Sequence, residues 1–271
     1  MPNKGISLHL GLNAVDPAHY GGWSGELNAC EADANDMFDL AKSEGFTATK
    51  LLTKKCTRAA MTAAIKAAAG KLKAGDTFFL TYSGHGGQVP DKNNDEPDGE
   101  DETWCLFDGE IVDDEMAVLY GTFAAGVRVL VLSDSCHSGS VVKLRGFGLD
   151  NESNGGAGEK FRFMPPVVAL RTYRQNRAFY DPILKKAKAG APKATVLLIS
   201  GCQDNQLSAD GTFNGLFTGT LMKVWKDGAF TGGYKKFHKQ IAKQMPPDQS
   251  PNLFVYGAGD PAFIAQKPFT I

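Results

Sequence analysis

The stretch Val127-Arg128-Val129-Leu130-Val131-Leu132-Ser133-Asp134-Ser135-Cys136-His137-Ser138-Gly139 changes character partway along. Through Leu132 it is an apolar run with the length and Val/Leu content of a strand buried on both faces. From Asp134 to Gly139 it consists of poor packing residues that form turns and hydrogen bonds well. A buried strand ending there delivers Cys136 to the rim of a sheet, where open α/β folds bind ligands and present reactive side chains. Lone cysteines are more often inert packing residues. The Asp, Ser, His and Gly around this thiol point instead to a reactive one.

Upstream, Thr77-Phe78-Phe79-Leu80-Thr81-Tyr82 is a second apolar run, and it opens into Ser83-Gly84-His85-Gly86-Gly87-Gln88. A histidine between glycines at a strand end offers a base, with backbone N–H groups beside it that can hold an oxyanion. A cysteine and a histidine remote in sequence, each closing its own parallel strand, are the arrangement a Cys/His peptidase requires.

Taken together, Tyr82 to Gln88 and Asp134 to Gly139 resemble the metacaspase and orthocaspase branch of the caspase-like cysteine peptidases. The likeness runs from Ile6 to about Val255 and is weakest between Lys143 and Lys193. His85 precedes Cys136 by about fifty positions, as the histidine precedes the cysteine in caspases. The resemblance implies one caspase-like domain over residues 1–271, a three-layer α/β/α sandwich with a mostly parallel central sheet. Its large-subunit region would cover about 1–142 and its small-subunit region about 194–271, with an intervening segment between. It also implies a substrate pocket lined by Cys30, Asp33, Ser83 and Asp134. Two carboxylates in a confined pocket favour Arg or Lys over Asp, so cleavage after basic residues is expected.

Composition agrees with a globular enzyme. The 271 residues are 42% hydrophobic and 22% charged, with a formal net charge of -1. No basic excess suggests nucleic acid and no apolar run reaches the length of a membrane span. The N-terminal residues lack the apolar core and cleavage site of a secretory signal. Cys30, Cys56, Cys105, Cys136 and Cys202 are an odd number without a CxxC pair, which suits a reducing compartment. A cytoplasmic monomer acting on protein or peptide substrates is expected, with neither nucleic acid nor membrane as partner.

In chain order, Ile6 to Leu12 reads as a strand, Glu26 to Ser43 as a helix, Phe46 to Leu52 as a strand, and Thr57 as the cap of a helix to about Leu72. With the strand at Thr77 this β-α-β-α-β order predicts a parallel sheet covered by helices. Trp104 to Val112 reads as a hairpin followed by a helix from Asp113. After Gly139 about fifty residues show no sustained period, a length that in a connection is usually functional or disordered. Order returns with a strand at Ala194 to Ser200, helices near Gly215 to Trp225 and Tyr234 to Gln244, and a last strand at Phe254 to Tyr256.

The acidic run Asp91 to Glu102 has Glu96 where an EF-hand needs glycine, and no helix precedes it. The resemblance allows a weak calcium site from Asp98, Asp101, Asp113 and Asp114. A further acidic ligand expected seven residues after the nucleophile is replaced by Lys143, so calcium is not expected to be essential, and no other cofactor is required.

The expected chemistry is peptide hydrolysis through a thioester. Cys136 attacks, His85 serves as base and then acid, and the N–H groups of Gly86 and Cys136 hold the oxyanion. Tyr82 and Ser83 are candidates to orient His85. His137 is a rival base, but neighbours at a strand end point oppositely. A silent caspase-like adaptor or calcium-binding module would keep the fold, yet both reactive residues are present. A serine hydrolase lacks its G-x-S-x-G elbow. A zinc site from Cys30, His85, Cys136, His137 and Cys202 lacks paired local spacing. An enzyme specific for basic residues also carries candidate self-cleavage sites at Lys160, Arg162, Arg171, Arg174, Arg177, Lys185, Lys186 and Lys188.

Overall fold

A computed structural model describes residues 2–93, 96, 99–135, 160–186, 190–201, 209–210, 214–247 and 249–271. Cys136, His137, Asp98, Lys143 and Cys202 therefore lie outside the described residues. The first half of the chain alternates strand and helix: β1 (Gly5–Gly11), α1 (Cys30–Ser43), β2 (Thr47–Leu52), α2 (Arg58–Ala69) and β3 (Thr77–Ser83). Thr57 caps α2 by accepting the Ala60 N–H at 3.1 Å. After β3 come β4 (Gly86–Pro90), β5 (Glu100–Leu106), β6 (Gly109–Val112) and α3 (Asp113–Tyr120). The central strand β7 (Arg128–Asp134) follows, then β8 (Lys160–Phe161), α4 (Pro166–Gln175) and α5 (Arg177–Leu184). The remaining elements are β9 (Thr195–Ser200), β10 (Ala209–Asp210), α6 (Leu216–Trp225), α7 (Tyr234–Ala242), β11 (Asn252–Gly257) and α8 (Pro261–Ala265).

Six strands form the central sheet in the order β11-β9-β7-β3-β1-β2, and only β11 runs antiparallel to its neighbour. Its middle strands carry apolar residues toward both faces because both faces are covered. Phe78, Leu80, Val129, Val131 and Val196 join the core beneath α2 and α3. Phe79, Leu130, Leu132, Leu197 and Ile199 join the core beneath α1, α6 and α7. Alternation along each strand thus feeds two helical layers from one run of residues. This is the three-layer arrangement that the sequence resemblance implies, and β9 and β11 extend the sheet directly from β7.

The register of the two motif-bearing strands matters most. β3 and β7 are parallel neighbours, with Ser83 opposite Asp134. Chain order reverses direction across the sheet between β1 and β3, so the rim beyond their C-terminal ends is a crevice of the type that binds ligands in open α/β sheets.

Three departures from the sequence reading have physical causes. Helix α1 begins at Cys30, not Glu26; ahead of it Leu27 donates to Asn13 O, and Asn28 and Ala29 donate to the Asp210 carboxylate, which ties that stretch to other segments as a loop. Gly86–Pro90 forms an extra strand, pairing antiparallel with β5 to make a three-stranded sheet with β6. Residues 166–184, within the segment lacking a visible period, are helical in α4 and α5. Exposed Val167 and Leu170 lie off the buried face of α4, which holds Thr172 beside Val168, Ala169 and Tyr173, so the apolar period is blurred.

Candidate active site

His85 leaves the end of β3 almost fully buried, 1% exposed. Its Nε2 lies 2.9 Å from the Gly25 carbonyl, which can only accept. The hydrogen therefore resides on Nε2, and Nδ1 of the neutral ring carries the lone pair. Nδ1 has no hydrogen-bond partner among the described residues. Trp23 covers the ring at 4.7 Å between centroids. Burial lowers the imidazole pKa to about 4, opposed by the Gly25 carbonyl and by the Phe163 backbone beside it. Gly25 has φ of +53°, and a Cβ there would stand 3.0 Å from His85 Cδ2, so both its conformation and the closeness of the ring demand glycine.

Tyr82 serves the loop rather than the ring. Its hydroxyl donates to the His85 carbonyl at 2.6 Å and lies 3.1 Å from the Cys105 carbonyl, fixing the corner that follows β3. Ser83 points the other way, into the acidic pocket.

That pocket gathers three carboxylates from distant segments. Asp33 comes from the first turn of α1, Asp134 from the end of β7, and Asp210 from β10. The N-terminus of α6 secures two of them: Gly215 N–H donates to Asp33 at 3.0 Å, and Thr218 donates to Asp134 through N–H at 3.1 Å and through its hydroxyl at 2.7 Å. Helix N-termini stabilise anions in this way. Asn214 and Ser83 also donate to Asp33, and Asp210 in turn holds the start of α1. Fully buried Cys30 lies against the same group, its thiol pushed up to about 12 by burial.

One guanidinium fills the pocket, that of Arg162. It meets Asp33 at 2.7 Å, Asp134 at 2.9 Å and Asp210 at 2.9 Å, with its side chain 0% exposed. Ser83 Oγ accepts a further N–H at 2.8 Å. Gly215 leaves room for it, since a Cβ there would meet Arg162 Nη1 at 2.4 Å. Burial raises the Asp33 pKa to about 6, although the guanidinium pulls it down. The backbone of Arg162 is engaged too: its carbonyl accepts the Gly86 N–H at 3.0 Å.

Of the residues expected from sequence, Asp33, Ser83 and Asp134 thus converge on one buried group, Cys30 borders it, and His85 and Gly86 stand at its edge. Arg162, Asp210, Thr218 and the Gly25 carbonyl were not foreseen in these places. Phe161-Arg162-Phe163 did carry a signal, an apolar–basic–apolar alternation typical of an extended, half-buried segment. A backbone carbonyl such as that of Gly25 leaves no mark on sequence.

The candidate calcium ligands gather less clearly. Asp101 is buried on β5, Asp113 and Asp114 open α3, and Asp114 accepts from Asn93 Nδ2 at 2.7 Å. Among the described residues no group of three His, Cys, Asp or Glu side chains is arranged to hold a metal ion. No helix among them is long and apolar enough to cross a membrane.

Comparison with known proteins agrees with this architecture. The caspase domain family model matches residues 14–263. Metacaspase-1 of Coccidioides immitis is 31% identical over 89% of this chain and 57% of its own length. Metacaspase-1 of Mycosarcoma maydis is 29% identical over 81% of this chain and 61% of its own. The chain therefore spans about three fifths of the length of these relatives. A crystal structure of a protein from Geobacter sulfurreducens superposes with a TM-score of 0.90 at 60% identity, covering 99% of both chains. With the family model spanning nearly the whole chain and metacaspases aligned along most of it, the chain belongs to the caspase-domain family of cysteine peptidases.

Proposed function

We propose that the chain is a cysteine endopeptidase that cleaves after Arg, and less readily after Lys, through Cys136 and His85. The observation that carries the specificity is the Arg162 guanidinium, held by Asp33, Asp134 and Asp210 while its own carbonyl meets the Gly86 N–H. A substrate arginine bound the same way would present its carbonyl to a backbone donor at the corner that bears His85. His85, neutral at pH 7, takes the Cys136 proton through Nδ1 while Gly25 keeps the other nitrogen occupied. The thiolate then attacks the carbonyl, the Gly86 and Cys136 N–H groups stabilise the oxyanion, and the histidine returns the proton to the leaving amine. Hydrolysis of the thioester by water completes the cycle. No metal enters these steps, and calcium is not required in this reading.

Fluorogenic peptides ending in Arg, Lys or Asp test it directly. Arg is expected to be turned over fastest and Asp not at all. Cys136→Ala and His85→Ala are expected to abolish turnover without unfolding, and His137→Ala to be milder. Preference for Asp, or full activity of Cys136→Ala, would refute the assignment.

A further inference from the structure

Strand β4 is the outer strand of its three-stranded sheet, and its free edge runs on from the corner that bears His85. Cys105 N–H donates to the His85 carbonyl and Asp91 N–H to the Gly99 carbonyl, both at 2.9 Å. With Gly86 opposite Trp104, this register turns the backbone groups of Gly87 and Val89 toward β5 and those of Gly86 and Gln88 outward. The outward pair of Gly86 is used. Its N–H donates to the Arg162 carbonyl at 3.0 Å and its carbonyl accepts the Met164 N–H at 2.7 Å, a parallel bridge to Phe163. The outward pair of Gln88 has no partner among the described residues. The chain leaves the edge just before that rung: the Pro165 carbonyl accepts the Val168 and Ala169 N–H groups at 2.8 and 2.9 Å to start α4, and Pro166 has no N–H to give. Beside the unpaired rung lies a groove of about 560 Å³, open to solvent, whose walls include Gln88, Pro90, Leu170 and Tyr173.

We infer that the free edge of β4 binds the stretch of substrate that follows the cut, by parallel strand addition, and that the groove beside α4 takes an apolar side chain four residues past it. This rests on the peptidase reading above. A substrate arginine placed as Arg162 is sets its next two residues along Gly86, where Phe163 and Met164 lie. A parallel ladder advances two residues per rung, so in an extended substrate the second carbonyl past the cut accepts the Gln88 N–H and the fourth N–H donates to the Gln88 carbonyl. The third residue lies opposite Gln88 and turns its own amide away. Pro90, next along the edge, has no N–H, so donation from β4 ends at Gln88. Side chains follow the same alternation. A Cβ on Gly87 would stand 2.8 Å from Met164 Cε, so the second residue past the cut faces the side of β4 that carries Gly87 and Val89, which packs with Tyr173. The fourth residue faces that side too, toward Tyr173 and the half-exposed Leu170. The substrate class is therefore an extended chain with an apolar residue, not proline, at the fourth position.

Peptides that share one sequence through the arginine and extend two or four residues beyond it, with leucine fourth, are compared by kcat/KM, the cut being located by mass. The longer peptide is expected to gain at least about fivefold, the worth of one backbone hydrogen bond, chiefly through KM. Methylating the amide nitrogen of the fourth residue is expected to abolish the gain, and methylating that of the third to preserve it, because only the fourth faces β4. Aspartate in place of the fourth leucine is expected to reduce it. On the protein side, Gln88→Pro removes the outward N–H without touching a bond to β5, and the ratio of long to short peptide should fall toward one. Gln88→Ala keeps the backbone donor and should keep the ratio. Should Gln88→Pro not fold, the two methylated peptides decide alone. Arginine peptides that are cut equally well at either length, or a gain that survives methylation of the fourth amide, overturn the inference and leave the peptidase reading intact. Absence of turnover with every arginine peptide removes both.

Discussion

Asp33, Asp134 and Asp210 are buried around a guanidinium, whereas Glu110, also 0% exposed, has no such partner. The Glu110 carboxylate lies beneath Gly87, where a Cβ would stand 2.8 Å from Oε2, and accepts a hydrogen bond from the Thr103 hydroxyl at 2.6 Å. Its Oε1 is unpartnered among the described residues. Burial raises its pKa from 4.5 to about 7, opposed by Thr103, Tyr180 and the Arg58 charge, and raises that of Asp33 from 3.8 to about 6, opposed by Arg162. The two places teach that burial raises a carboxyl pKa with or without a cation beside it, and that what sets them apart is the guanidinium one of them encloses. The acidic pocket surrounds its carboxylates with hydrogen-bond donors and an arginine. Glu110 meets burial with a raised pKa.

The difference predicts unequal costs of neutralisation. In a Cys136→Ala background, which prevents processing, Arg162→Gln leaves buried carboxylates without a cation and is expected to lose about 3–5 kcal/mol in urea unfolding. Glu110→Gln at pH 4.5, where Glu110 holds its proton, is expected to change stability by less than about 1 kcal/mol. Equal losses would mean that the two acidic places are alike after all.

Next in size is substrate binding. Asp134→Asn removes a charged partner from the pocket and is expected to cost about 2–5 kcal/mol in kcat/KM on an Arg-amide peptide. Asp91→Asn, remote from the pocket, is expected to leave kcat/KM close to the wild-type value. If both variants behave alike, the acidic cluster does not read the substrate.

Protons should distinguish the two places as well. The Glu110 pKa is raised from an ordinary 4.5 to about 7, so the folded chain holds a proton that the unfolded chain releases earlier. Its contribution is complete below about pH 4.5 and lost as pH climbs through about 7. Tm of wild type should therefore fall over that window relative to Glu110→Gln. Parallel profiles would show that Glu110 is ionised throughout. The Asp33 contribution has the same sign between 3.8 and about 6.

The smallest effect is expected from calcium. Adding it to chelator-treated enzyme should raise activity less than about tenfold, or 1.4 kcal/mol in barrier. A larger rise would make the Asp113–Asp114 end of α3 a third acidic place with its own means of neutralisation.

Much of the fold was legible because its signals are local. The Phe78–Tyr82 and Val129–Leu132 runs announce a sheet covered on both sides, and Thr57 marks the start of α2. That each motif closes a parallel strand was legible too, whereas the adjacency of those strands was not. What could not be read was non-local. Asp210 acts through the start of α1, and Arg162 through residues brought in from four separate stretches. The Gly25 carbonyl is backbone, indistinguishable in sequence from any other. Helix α4 escaped because Val167 and Leu170 are exposed, so apolar residues occur on more than its buried face.

The packing of Trp23 against His85 carries a spectroscopic consequence. Imidazolium quenches indole emission more strongly than neutral imidazole does, and the other two tryptophans are placed differently: Trp104 stacks on Tyr82, and Trp225 is packed among Phe237 and Phe269. Intrinsic fluorescence of the intact chain therefore contains an optical titration of His85. Displacement of the Phe161–Phe163 segment should shift its midpoint upward from about 4, as water returns to the ring.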